Sequence, residues 1–216
     1  MELLLETWQY ILGHQPDFWA KTGAHLTLSG LALLVALAVA IPCGIFSAQS
    51  SRISQVVTNG IGALRAVPSL AIMAAMLPII GVGFRPALAA LTILAIPPML
   101  INTQAGIIAV DPAITEAARG MGLSRWQIMR QVQLPLALPV IVTGVRTAAV
   151  EVLASATLGA VIGAGGLGEY IFAGLSLGPA YLHLMLVGAI TVAVLTLAAE
   201  VSLSRLELVV RRAFHQ

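Results

Sequence analysis

The chain has 216 residues, 59% of them hydrophobic and only 9% charged, with a mean hydropathy of +0.97. A globular domain is nearer 45 to 50% apolar and about 25% charged, so this composition excludes a free-standing cytosolic enzyme, a disordered protein and a nucleic-acid-binding module. The net charge of +2 rests on eleven basic residues, ten of them Arg, which sit at the ends of apolar stretches instead of on one basic face.

The first 20 residues carry Glu2, Glu6 and Asp17 together with Trp8, Tyr10, Phe18 and Trp19. A cleaved leader would open with basic residues before a short apolar core. Residues 1–20 therefore read as an interfacial N-terminal segment, with the four aromatics in the headgroup zone. Beyond them, residues 22–51, 66–84, 86–110, 152–168 and 170–199 carry no charge. A hydrocarbon core of about 30 Å needs roughly 20 apolar helical residues. This predicts five spans, at about 25–47, 57–79, 86–108, 136–162 and 181–204.

Prolines 42, 68, 78, 97 and 98 interrupt these spans and permit kinks. Arg65, Arg146 and Glu151 lie within spans, where a central charge costs at least about 2.5 to 3.5 kcal/mol and faces a cavity or a partner. They are candidates for the lining of a translocation pathway or for structural ion pairs. Arg146 and Glu151 stand about 140° apart on a helix, so Arg65 with Glu151 across two helices is the better pairing. Ser155, Gly159 and Gly163 recur every four residues, as on a small-residue packing ridge, and form a candidate interface with a second, similar chain. The run Ile162–Gly168 holds four glycines but lacks the Lys-Ser or Lys-Thr of a phosphate loop. Cys43 is the single cysteine, and His14, His25, His183 and His215 are scattered, which argues against a disulfide or a metal site.

The polar interval at 109–135 is the one substantial loop. Asp111-Pro112 reads as an N-cap followed by proline at the first helical position. Ile114, Ala117, Ala118 and Met121 then fall on one apolar stripe, and Gly122 sits where a left-handed cap ends a helix. Ser124 and Gln127 form a capping box, and Leu123 and Ile128 a hydrophobic staple, for a second short helix that Leu134-Pro135 should end. Two short hinged helices with an exposed apolar stripe mark a docking surface. With this loop in the cytoplasm, seven Lys/Arg lie inside (Arg52, Arg119, Arg125, Arg130, Arg205, Arg211 and Arg212) and two, Lys21 and Arg85, outside. The N-terminus is then external and the C-terminus cytoplasmic.

Glu116-Ala117-Ala118, Gly122 and Val132-Gln133-Leu134-Pro135 resemble the "EAA" signature of ABC-importer permease subunits, with Val132 in place of Ile. The resemblance implies a polytopic, all-α type I permease fold like that of methionine importers, with residues 1–216 forming a single permease domain. It implies coupling of Glu116, Ala117, Ala118, Arg119, Gly122, Leu134 and Pro135 to a separate ATPase subunit. ATP and Mg then belong to that subunit, and no cofactor to this chain. The further partners implied are an extracytoplasmic substrate-binding protein, a second permease (a copy or a paralogue) and the lipid bilayer of a bacterial inner membrane. Residues 67–84, 144–149 and 162–168 are similar to the glycine betaine, choline and carnitine branch; the glycine-rich stretch is shared with methionine-importer permeases. A quaternary ammonium is normally held in an aromatic cage, and no aromatic lies centrally in a span, so tight capture belongs on the binding protein. An amino-acid permease, a secondary transporter and a membrane scaffold are the competing readings.

Overall fold

The computed structural model describes residues 1–214, and His215 lies outside the described residues. Among these, every regular element is helical. They are α1 (Glu2–Gly13), α2 (Gln15–Ser47), α3 (Ser51–Leu64), α4 (Ser69–Ile80), α5 (Phe84–Ile108), α6 (Pro112–Gly120), α7 (Arg125–Ile128), α8 (Leu134–Ser155), α9 (Gly168–Leu177) and α10 (Leu182–Phe214). A π-helical segment, Met129–Gln133, joins α7 to α8, and 3-10 segments occupy Ala156–Ile162 and Pro179–Tyr181.

Four stretches are long and apolar enough to cross a membrane: Gln15–Ser47, Phe84–Ile108, Arg125–Ile162 and Pro179–Ala213. The span expected at 57–79 is instead a broken pair, α3 and α4, bent by 89°. Pro68 is the cause, because its ring drives the preceding residue out of the α region and α4 can start only after it, with Pro68 itself extended at ψ 136°.

Three further expectations need correction. The first span begins at Gln15, inside the segment assigned to the interface. Of the four aromatics placed in the headgroup zone, Trp8 and Trp19 are exposed, but Phe18 is buried and Tyr10 packs beside it. Leu134-Pro135 does not end the second loop helix. The chain widens into the π turn and continues as α8. Proline in a regular helix collides with the carbonyl four residues back, and an i→i+5 turn immediately before it relieves that collision.

The chain divides into two compact units. The first comprises Met1–Val35, Val67–Ala95 and Ala149–Ala199; the second comprises Ala36–Ala66, Ile96–Ala148 and Glu200–Gln216. In the first, Phe18, Leu167, Tyr170, Leu184, Val187 and Val192 form the core, with Tyr10 and Ile11 of α1 against it. His25 is buried and its Nε2 donates to the Leu153 carbonyl oxygen at 3.0 Å. That oxygen lies just before the helix tightens to 3-10 geometry, where regular i→i−4 pairing stops. In the second unit, Ile107, Met129, Ala137 and Ile141 form the core, and Gly44 sits so close to Thr103 that a Cβ would lie 2.7 Å from the Thr103 Cβ.

Candidate coupling site

The loop helices are built by local hydrogen bonds that their sequence specifies. Asp111 Oδ1 accepts from the Ala113 N–H at 2.8 Å, with Pro112 at the first helical position. At the other end of α6, the Gly122 N–H donates to the Arg119 carbonyl at 3.0 Å and the Leu123 N–H to the Ala118 carbonyl at 3.2 Å. This pair of bonds is a Schellman cap, which requires its penultimate residue to be left-handed. Gly122 has φ +85°. A side chain at that φ costs about 1 to 2 kcal/mol. The second helix opens on the expected capping box: the Ser124 N–H donates to Gln127 Oε1 at 2.8 Å and the Gln127 N–H to Ser124 Oγ at 3.4 Å.

The apolar stripe of α6 divides. Ala118 is buried, whereas Ile114 is 45% and Met121 74% exposed, and Glu116, Ala117 and Arg119 are exposed too. Trp126, 67% exposed, extends this surface onto α7. A cleft of about 590 Å³ runs beside it, lined by Arg119, Arg125, Trp126, Gln49 and Gln133 among others. Leu134 and Pro135 are half-buried in the first turn of α8, and Leu134 packs on the second unit's core. Their part in the loop is thus to fix the root of α8, while Glu116, Ala117, Arg119 and Gly122 stand at the surface.

The other singled-out residues belong to other elements. Arg146 meets two carboxylates of α10, Glu200 at 3.1 Å and Glu207 at 3.5 Å, and Glu207 also meets Arg211 at 3.3 Å. Substituting Arg146 leaves Glu207, 12% exposed, with one partner fewer. Removing one member of a fully buried pair costs about 3 to 5 kcal/mol; the exposure of Glu200 reduces this, so Arg146→Gln is expected to cost about 2 kcal/mol in detergent unfolding. A cycle with Glu207→Gln should show coupling of about 1 kcal/mol, and additive effects would contradict a structural role. Arg65 caps α3 at the break, and Glu151 is half-buried in α8.

The small-residue ridge is not one. Only Ser155 is α-helical, because 3-10 geometry takes over at Ala156, so four-residue spacing no longer marks one face. Gly159 is buried within its own chain, where a Cβ would meet Ala164 at 3.2 Å and Leu28 at 3.5 Å.

Two polar clusters escaped the sequence reading. Buried Gln104 of α5 accepts from Ser47 Oγ at 3.3 Å, donates to Thr58 Oγ1 at 3.2 Å and bonds Ser54 Oγ, tying α3 to α5 and to the end of α2. A lone Gln in an apolar span was the available signal. Gln104→Leu removes the partner shared by Ser54 and Thr58, while Ser47 keeps its bond to the Gly44 carbonyl at 2.9 Å, and is expected to cost about 1 to 3 kcal/mol, read as a lower melting temperature in detergent. In the other cluster, Tyr170 Oη donates to Asp17 at 2.6 Å, and Lys21 bridges Asp17 at 3.3 Å and Glu169 at 3.0 Å while lying 4.6 Å from the Tyr170 ring centre. Burial, then the bond to Asp17, holds the Tyr170 phenol above its ordinary range.

Residues 40–212 match the family described as the binding-protein-dependent transport system inner membrane component. The carnitine transport permease protein OpuCB of Listeria monocytogenes is 42% identical over 95% of this chain and 86% of its own length. The glycine betaine/carnitine/choline transport system permease protein OpuCB of Bacillus subtilis is 38% identical over 83% and 82%. Among solved structures, an inward-facing form of the methionine ABC transporter MetNI superposes with a TM-score of 0.81 at 21% identity, covering 91% of this chain and 97% of that one. The match over most of the chain, carried by an all-helical fold with several apolar helices and a capped double helix between two of them, places the protein in the family of ABC-importer permease subunits of the inner membrane.

Proposed function

We propose that this permease carries a quaternary-ammonium osmoprotectant, of the glycine betaine, carnitine and choline class, inward by alternating access. The observation that carries the coupling half of this reading is the α6–α7 surface: Glu116, Ala117, Arg119 and Gly122 exposed on a rigidly capped double helix. That surface docks on a separate ATPase subunit, which binds ATP and Mg. With the bent α3–α4 pair taken as one crossing, the excess of Arg on the loop side supports a cytoplasmic loop and an external N-terminus. Closure of two ATPase subunits moves α6 and α7, and the π-helical segment passes the motion to α8. Two permeases, either copies or paralogues, enclose the pathway, which Arg65 and Glu151 line. Substrate arrives on an external binding protein and is released inward when the site reopens.

The substrate half rests on relatives whose names specify carnitine, choline and glycine betaine. Uptake of labelled choline, carnitine, glycine betaine and methionine, with binding protein and ATPase present, tests it. The expected result is uptake of a quaternary amine that persists when proton and sodium gradients are collapsed and ATP is kept. Uptake that follows the gradients would make the chain a secondary transporter, and methionine uptake alone would overturn the substrate class.

A further inference from the structure

A groove of about 590 Å³ in the second unit is apolar along almost its whole length, lined by Ile41, Leu134, Leu138, Val142, Leu203 and Leu206 among others. Arg130, exposed on the π-helical segment, is the one charged residue lining it among the described residues. No carboxylate of the described residues pairs with Arg130, whereas Arg146 is matched by Glu200 and Glu207 and Arg211 by Glu207. The lining runs on α8 from Leu134 to Val145. Those eleven residue-to-residue steps rise about 16 Å at about 1.5 Å each, close to half of a hydrocarbon core of roughly 30 Å. The groove thus has the length of one leaflet, an apolar wall and a single unmatched cation at one end.

We infer that this groove holds one anionic phospholipid of the cytoplasmic leaflet, its phosphate on Arg130 and an acyl chain along α8. A water-soluble anion would leave the apolar wall bare, and a zwitterionic lipid would bring its own cation to Arg130. Basic side chains between membrane helices at the cytoplasmic side select anionic headgroups in this way. A lipid seated there braces the π-helical segment, so membrane composition bears on how α6 and α7 move α8. The choice of leaflet rests on the cytoplasmic placement proposed above; the lipid count described next does not use the ATPase, so failed docking would sink that reading and leave this one standing.

The test is native mass spectrometry of the purified full chain, titrated with phosphatidylglycerol and phosphatidylcholine in mixed micelles. The wild type is expected to retain phosphatidylglycerol preferentially. Arg130→Gln should cut that preference about fivefold, the factor that about 1 kcal/mol per basic residue near an anionic surface produces, and Arg130→Lys should preserve it. Leu138→Trp, which fills the groove, should lower retention of both lipids. An unchanged preference in Arg130→Gln overturns the proposal. So does a Leu138→Trp chain that keeps its lipid but loses a second permease copy, since the groove would then be a permease interface.

Discussion

A Gly168→Ala chain is expected to lose about 3 kcal/mol or more of stability, the upper end of what overpacking a close-packed interior costs. Gly168 opens α9, and its Cα faces the 3-10 segment Ala156–Ile162. A Cβ there would run into the Thr157 carbonyl oxygen and would lie 2.8 Å from the carbonyl carbon and 2.9 Å from the Ala160 Cβ. The obstacle is backbone, which cannot rotate aside as a side chain tip can. Relief requires α9 to lift, and α9 carries Tyr170, a member of the first unit's core. Gly60→Ala is the control: it lies in exposed α3 with nothing within 4 Å of the added Cβ. Alanine is the better helix former by about 1 kcal/mol, so that variant should melt at or above the wild-type temperature. Equal melting of Gly168→Ala and wild type would contradict the close approach.

This close approach was invisible in the sequence, where Gly163, Gly165, Gly166 and Gly168 read as one glycine-rich run. Gly168 matters through an α9–3-10 contact, and composition does not distinguish it from its neighbours. The features that were legible are local ones. Asp111-Pro112, Gly122 and the Ser124–Gln127 box each act within four or five residues, so the sequence pattern and the hydrogen bonds coincide. Long apolar intervals likewise read directly as helices.

Pro135 shows where local reading fails. Proline reads as a stop, but the π turn before it lets the helix continue, and nothing in the residue types announces that turn. Pro68 shows the opposite error, because the apolar interval at 57–79 reads as one continuous helix although the proline breaks it into two. Arg146 could be recognised as costly in a membrane, yet its partners Glu200 and Glu207 are 54 and 61 positions away, and only the fold brings them together. The small-residue ridge failed because its spacing assumes an α-helix that ends at Ser155.

The second large effect falls on function and leaves the fold in place. Glu116→Lys reverses a charge on an exposed position of α6, and Gly122→Leu imposes a left-handed φ on a branched residue. Neither touches either core, so both chains should insert and fold. The Gly122 strain of about 1 to 2 kcal/mol is paid by the Schellman cap alone, which sets the angle between α6 and α7. On the proposed docking, a misdirected α6 would no longer present Glu116 and Ala117 to the ATPase together with Trp126. Substrate uptake is expected to fall tenfold or more in each variant, which is at least about 1.4 kcal/mol of lost coupling, with melting temperature unchanged for Glu116→Lys.

Association of the ATPase subunit with the permease in detergent is the most direct measurement of the coupling claim, made on wild type, Glu116→Lys and Gly122→Leu, with Gly60→Ala as the neutral control. The wild type and Gly60→Ala should retain the ATPase through purification, and the two loop variants should retain at most about a tenth as much. Folded loop variants that hold the ATPase as well as the wild type would contradict the account and move the docking surface away from α6 and α7.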